Sequence, residues 1–199
     1  MLSEKPWKPD AVLRLLLGLF VSILAGVFVV RWINSASSPL PEHSKFVTVV
    51  VGTVSFHGVA LILTALFLRE HGIGWGAGFG FSSPRLGRTF TLSLIVGVSV
   101  LPIVWSLGQL SERLMRLFQI DPAVQETVQA IHTADSLALK FTIGLLAIVV
   151  APVAEEIIFR GILYPVVKRY GFPHLALWGT SILFAFIHNN AVIFLPLTF

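Results

Sequence analysis

Two adjacent carboxylates and an arginine stand inside an otherwise apolar part of the chain. Glu155, Glu156 and Arg160 occur in the sequence AEEIIFRG, between Lys140 and Lys168. Charged groups are costly at membrane depth, and helices carry them where they face protein or a water-filled cavity. Such a cluster therefore indicates either a reactive site or a strong packing requirement.

Helical spacing predicts different surroundings for the two glutamates. Glu156 and Arg160 are four residues apart, so they can form an ion pair on one face of a helix. Glu155 points roughly 100° away from Glu156 around the helix axis. A carboxylate held in an apolar cavity is suited to act as a general base, so Glu155 is the candidate that activates a water molecule. The alternatives are an ion cluster that only fixes helix packing and a pair that is solvated at the membrane surface.

A histidine follows on the next apolar segment. Phe184 and His188 are four residues apart in FAFIH, so they share one face of a helix. An imidazole beside an activated water can stabilise an oxyanion or deliver a proton to a leaving amine. A lone histidine near a helix end is otherwise an interfacial or packing residue. His57, within an earlier apolar segment, can face the same cavity.

The pattern Glu155-Glu156-x-x-x-Arg160 followed by Phe184-x-x-x-His188 resembles the first two motifs of the CPBP family, which contains CAAX proteases and bacteriocin-processing enzymes. The resemblance covers residues 139–199, a partial catalytic core. It implies a membrane fold of several helices and a glutamate-dependent intramembrane endopeptidase that needs no metal or other cofactor.

The resemblance also implies a role for each matching residue. Glu155 would activate the water, and Arg160 would hold Glu156 and support the site. His188 would complete the catalytic group, and Phe184 would pack near it and against the substrate. The implied partner is a membrane-associated peptide or protein. Prenylated C-terminal peptides, leader peptides and sorting signals all fit.

One motif of the family does not occur in this sequence. The family carries a third pattern, HxxxN, on a later helix, whereas this chain ends at Phe199, 11 residues after His188. Asn189 and Asn190 adjoin the histidine but do not reproduce that pattern. The terminal AVIFLPLTF resembles a hydrophobic helix that is cut in mid-span. We therefore expect a truncated chain.

Composition places these motifs in a membrane. Of the 199 residues, 55% are hydrophobic and 12% are charged, which is too apolar for a soluble domain of this length. Apolar segments near 12–32, 46–68, 89–107, 139–168 and 174–188 predict an all-α bundle of five to six spans. Amphipathic interfacial helices are expected between residues 109 and 136. With no repeat and no long linker, residues 1–199 are expected to form one transmembrane domain.

Charge placement favours membrane topology over nucleic-acid binding. The net charge is +4, but the basic residues are dispersed at the ends of apolar segments. If the N-terminus is cytoplasmic, seven basic residues lie on the cytoplasmic side of the membrane and five on the opposite side. This difference favours a cytoplasmic N-terminus. We expect a multi-pass protein of the cell (inner) membrane. The chain has no cysteine, so disulfides and thiol catalysis are excluded.

Other functional classes remain open at this point. The absent third motif favours a non-catalytic immunity or scaffold protein in which the same cluster serves packing. Intramembrane carboxylates and histidines also form the proton relays of transporters, although the sequence lacks repeated halves with interrupted helices. A zinc site of Glu155, Glu156 and His188 is less favoured, because the sequence has no HExxH pair.

Overall fold

The computed structural model describes residues 5–36, 41–121 and 125–199, and most of them are helical. The predicted all-α class is confirmed. The α-helices are α1 (Pro9–Ala36), α2 (Pro41–Thr53), α3 (Val59–Glu70), α4 (Trp75–Phe79), α5 (Leu86–Leu117), α6 (Glu126–Thr133), α7 (Leu137–Leu145), α8 (Ala151–Glu156), α9 (Tyr164–Arg169), α10 (Pro173–Ile187) and α11 (Ala191–Thr198). Residues 122–124, inside the predicted amphipathic region, lie outside the described residues.

Continuous helical segments long and apolar enough to cross a membrane cover Pro9–Ser35, Phe46–Glu70, Leu86–Leu117 and Leu137–Arg169. These correspond to the first four predicted spans. The fifth predicted span is α10, whose 15 residues rise about 22 Å, less than the roughly 30 Å of a bilayer core. Large apolar side chains along α5, such as Phe90 and Trp105, are exposed. An apolar surface of this kind is covered by lipid in a membrane protein.

Three segments of the long helices are π-helical: π1 (Val54–Gly58), π2 (Leu146–Val150) and π3 (Ile157–Leu163). Pro152 follows π2 and Pro165 follows π3 by two residues. A proline has no N–H, and its ring crowds the carbonyl four residues earlier, so the regular α-helical bonding cannot continue there. π-Helical segments are rare in proteins overall, and those that occur are often found at functional sites.

The chain divides into two compact units, each described here by itself. The first contains residues 1–73 and 124–163, and the second contains residues 74–123 and 164–199. In the first unit α1 packs on π1 and α3, α2 packs on α6, and α8 contacts π1. In the second unit α11 packs on α5 and α10. The expectation of one transmembrane domain stays a prediction.

Small residues allow α1 to approach its neighbours closely. Gly18, Ser22 and Gly26 follow one another at intervals of four and lie on one face. A Cβ atom at Gly26 would lie 2.7 Å from Ser55 Cβ, and one at Gly18 would lie 2.9 Å from Leu63 Cδ1. The Ser22 hydroxyl donates to the Ser55 carbonyl oxygen at 2.6 Å. Close packing of small residues, with a polar bond across the seam, is how membrane helices associate.

We expect Gly26→Ala to destabilise the protein by about 1–3 kcal/mol, because the added methyl group overpacks against Ser55. Gly97→Ala is the matched control, since a Cβ atom there meets nothing within 4 Å. In Gly97→Ala the free energy of unfolding should rise by up to about 1 kcal/mol, because alanine has a higher helix propensity than glycine. Thermal unfolding of both variants in detergent measures the difference, and equal midpoints would contradict close packing at Gly26.

Candidate active site

A partly buried pair of side chains joins two helical segments of the first unit. Glu155 lies near the end of α8, just before π3, and His57 lies in π1. The distance from His57 Nε2 to Glu155 Oε1 is 3.1 Å, and each side chain is 14% exposed. The two residues are 98 positions apart in the chain. Packing of α8 on π1 therefore places the candidate base against a histidine.

The hydrogen bond between His57 and Glu155 links the tautomer of the imidazole to the charge of the carboxylate. An ionised carboxylate only accepts hydrogen bonds, so with Glu155 ionised the hydrogen is on His57 Nε2. His57 Nδ1 is buried and has no hydrogen-bond partner among the described residues. The Phe56 ring contacts the imidazole edge-on, with ring centroids 4.8 Å apart. A buried polar atom without a partner is costly, which favours a functional role for His57 over simple packing.

The N-terminal segment is tied to the helix that carries the glutamates. The Trp7 indole Nε1–H donates to the Gly161 carbonyl oxygen in π3 at 2.9 Å. Pro165, four residues after Gly161, has no N–H to give to that carbonyl. The buried indole also packs edge-on against Phe67 and His71, with centroid distances of 5.1 and 5.3 Å. The Trp7 indole thus supplies a donor to a carbonyl that Pro165 cannot bond.

His71 supports this attachment. Its Nε2 accepts from the Lys8 backbone N–H at 3.0 Å, so Nδ1 carries the hydrogen and donates to the Phe67 carbonyl at 2.7 Å. Arg14 bonds both Asp10 and Glu70, which links the start of α1 to the end of α3. Because both His71 nitrogens bond the backbone, His71 has a structural role.

The second glutamate differs from the first. Glu156 Oε2 lies 3.7 Å from Arg160 Nη1, and the side chains are 65% and 42% exposed. The ion pair expected from their spacing therefore forms, but it is longer than a hydrogen bond. An exposed pair of this kind contributes little to stability. Of the two neighbours, Glu155 is the buried one.

His188 and Phe184 lie in the second unit, at the C-terminal end of α10. Their rings are in edge contact with centroids 4.6 Å apart, and His188 Nδ1–H donates to the Phe184 carbonyl at 2.7 Å. Both side chains are half-buried. They share a face, as the spacing predicts. Since Glu155 and His188 belong to different units, their proximity stays a prediction.

The sequence predicts that His57 can face the cavity, but the family motifs do not include this residue. The available signal was a histidine inside an apolar span, where ionisable groups usually serve a function. Within the described ranges, no three His, Cys, Asp or Glu side chains converge as metal ligands would.

Residues 137–199 match the family model described as type II CAAX prenyl endopeptidase Rce1-like. This segment contains Glu155, Glu156, Arg160, Phe184 and His188. The resemblance to CAAX proteases expected from the motifs is confirmed at the family level for this segment. Neither the curated proteins nor the solved structures compared with the chain give a match.

We expect Trp7→Phe to destabilise the first unit by about 1–3 kcal/mol, because it leaves the Gly161 carbonyl without its donor. Trp105→Phe makes the same chemical change at an exposed position of α5 and should have little effect. Thermal unfolding in detergent measures both variants. A Trp7→Phe midpoint equal to that of Trp105→Phe would rule out a stabilising indole bond.

Proposed function

We propose that this protein is a glutamate-dependent endopeptidase that hydrolyses a peptide bond of a membrane-associated substrate. The observation that carries the proposal is the partly buried Glu155–His57 pair, located between two spans long enough to cross a membrane. The family match over residues 137–199 supports the same class of reaction. A buried carboxylate with a defined partner is the type of group that general-base hydrolysis needs.

In the proposed reaction Glu155 removes a proton from a water molecule while the water oxygen bonds to the scissile carbonyl carbon. The carbonyl π electrons move to oxygen and give a tetrahedral oxyanion. Collapse of this intermediate re-forms the C=O bond and breaks the C–N bond. The protonated Glu155 then gives its proton to the leaving nitrogen, so the products are a carboxylic acid and an amine and Glu155 is regenerated.

His57 acts in this scheme as a positioning residue. Its Nε2–H donates to Oε1 of the ionised Glu155 and holds the carboxylate in one orientation. Orientation matters because a displacement of about 1 Å between reacting groups can cost 100-fold in rate. His57 lies in π1, and its imidazole contacts Glu155 of α8, which is 98 residues away in the sequence.

The remaining site residues take supporting roles. Arg160 lies 3.7 Å from Glu156 and balances the charge of this second carboxylate. His188 stabilises the oxyanion or assists proton delivery to the amine. Phe184 packs beside His188 and contributes apolar surface for the substrate.

A prenylated peptide with a CAAX terminus is the first substrate to test, because the matching family model describes prenyl endopeptidases. Leader peptides and sorting signals of membrane-anchored proteins are the other candidates. All of them bring a peptide bond to the membrane surface through an attached apolar group.

We expect Glu155→Gln to lower cleavage of a prenylated CAAX peptide by about 10²–10⁴-fold, because the amide cannot take the proton from water. Glutamine still accepts the hydrogen bond from His57, so the variant removes the base and keeps the pairing. Glu155→Asp should also lose most activity, since its carboxylate is withdrawn by one methylene. Mass spectrometry of the released C-terminal peptide, with the protein in lipid vesicles, measures the rate.

The control for this experiment is Glu112→Gln, the same change on α5 in the second unit. It should cleave like the unaltered protein. If Glu155→Gln keeps full activity, the glutamate is not the base. If the unaltered protein cleaves none of the three substrate classes, the non-catalytic membrane protein becomes the better account.

We expect His57→Leu to lower kcat by about 100-fold with little change in KM, because the substitution removes the donor to Glu155. His57→Gln keeps an N–H at similar reach and should stay within about tenfold of the original kcat. His174→Gln, an exposed histidine at the start of α10, is the control. Equal losses for the leucine and glutamine variants would contradict a positioning role.

A further inference from the structure

A groove of about 330 Å³ runs along the first unit between α1 and the helix formed by α2 and π1. Its walls are mostly apolar and include Ile23, Val27 and Val30 of α1 and Phe56 of π1. Gly52 forms part of the opposite wall, and a Cβ atom there would meet nothing within 4 Å. A larger side chain at Gly52 therefore has open space to occupy beside the groove.

The groove has one polar end. Ser22 contacts Ser55, so the two helices are aligned there. Gly18 faces Leu63 and Gly26 faces Val51, so the helices run in opposite directions. Arg31 lies nine residues after Ser22, about 13 Å along α1. Thr48 lies seven residues before Ser55, about 10 Å in the same direction. Arg31 and Thr48 both line the groove and therefore mark the same end of it.

This polar end belongs at the membrane surface. Arg31 is in the last turns of the span Pro9–Ser35, and Trp32 beside it is exposed. Arginine and tryptophan near the end of a span are typical of the membrane–water interface. From Arg31 to Ile23 the groove extends about 12 Å into the apolar region. An apolar chain that carries a negative group at the interface matches this arrangement.

We propose that this groove binds one acyl chain of an anionic phospholipid, whose phosphate pairs with the Arg31 guanidinium. The guanidinium fork suits a phosphate group, and an apolar chain in the groove regains the van der Waals contacts that an unfilled groove forfeits. The inner end of the chain contacts Phe56, whose ring lies against His57. The bound lipid therefore supports the segment that holds the partner of Glu155.

Native mass spectrometry of the detergent-purified protein tests this proposal with phosphatidylglycerol and phosphatidylcholine of identical acyl chains. We expect phosphatidylglycerol to bind about tenfold more tightly, since its net negative charge favours pairing with Arg31. Arg31→Gln should remove the difference between the two lipids. Glycerol phosphate without acyl chains should not bind at the same concentration, which separates a lipid site from a simple phosphate site.

Substitutions at two glycines test the acyl chain separately from the headgroup. Gly52→Leu fills the groove and should reduce binding of both lipids by about tenfold or more, while Gly97→Leu on α5 should leave binding unchanged. Equal lipid occupancy in the unaltered protein, Arg31→Gln and Gly52→Leu would mean non-specific surrounding lipid and would overturn the proposal. None of these readouts requires peptidase activity, so the lipid site and the proposed function can fail independently.

Discussion

An ionisable side chain at membrane depth requires a partner, and much of the first unit can be understood from that constraint. Glu155 is costly in an apolar environment unless its charge is hydrogen-bonded or balanced. His57 supplies a hydrogen bond at 3.1 Å from a different span. In the structure π1 lies against α8, and α1 packs on π1 with Gly26 close to Ser55. The polar pair therefore depends on tight packing of small residues some distance away in sequence.

Backbone polar groups near the site also need hydrogen-bond partners. In a membrane every N–H and C=O group needs a partner inside the protein. The prolines that interrupt the last long span remove donors, and the bonding shifts to π-helical turns at π2 and π3. The indole of Trp7 then bonds the Gly161 carbonyl.

The two neighbouring glutamates show how position on a helix decides chemistry. Glu155 is largely enclosed and contacts an imidazole, whereas Glu156 is mainly exposed and lies near a guanidinium. The two glutamates are adjacent in the sequence and therefore point in different directions from the helix. Glu155 is suited to remove a proton, whereas Glu156 is suited to pair with Arg160. Neighbouring residues of π1 also differ in their surroundings. Phe56 lines the groove beside α1, whereas His57 contacts the Glu155 carboxylate.

The sequence alone determined the helical class, the approximate positions of the first four spans, the Glu156–Arg160 pair and the contact between Phe184 and His188. All of these depend on local composition or on residues four apart, and the helical repeat places such residues together without help from the rest of the chain. Tertiary structure decided that His57 meets Glu155, that Trp7 bonds Gly161 and that a groove with a charged end lies beside π1. These contacts join residues far apart in sequence, and they arise from helix packing and π-helical turns that change which side of a helix faces its neighbour.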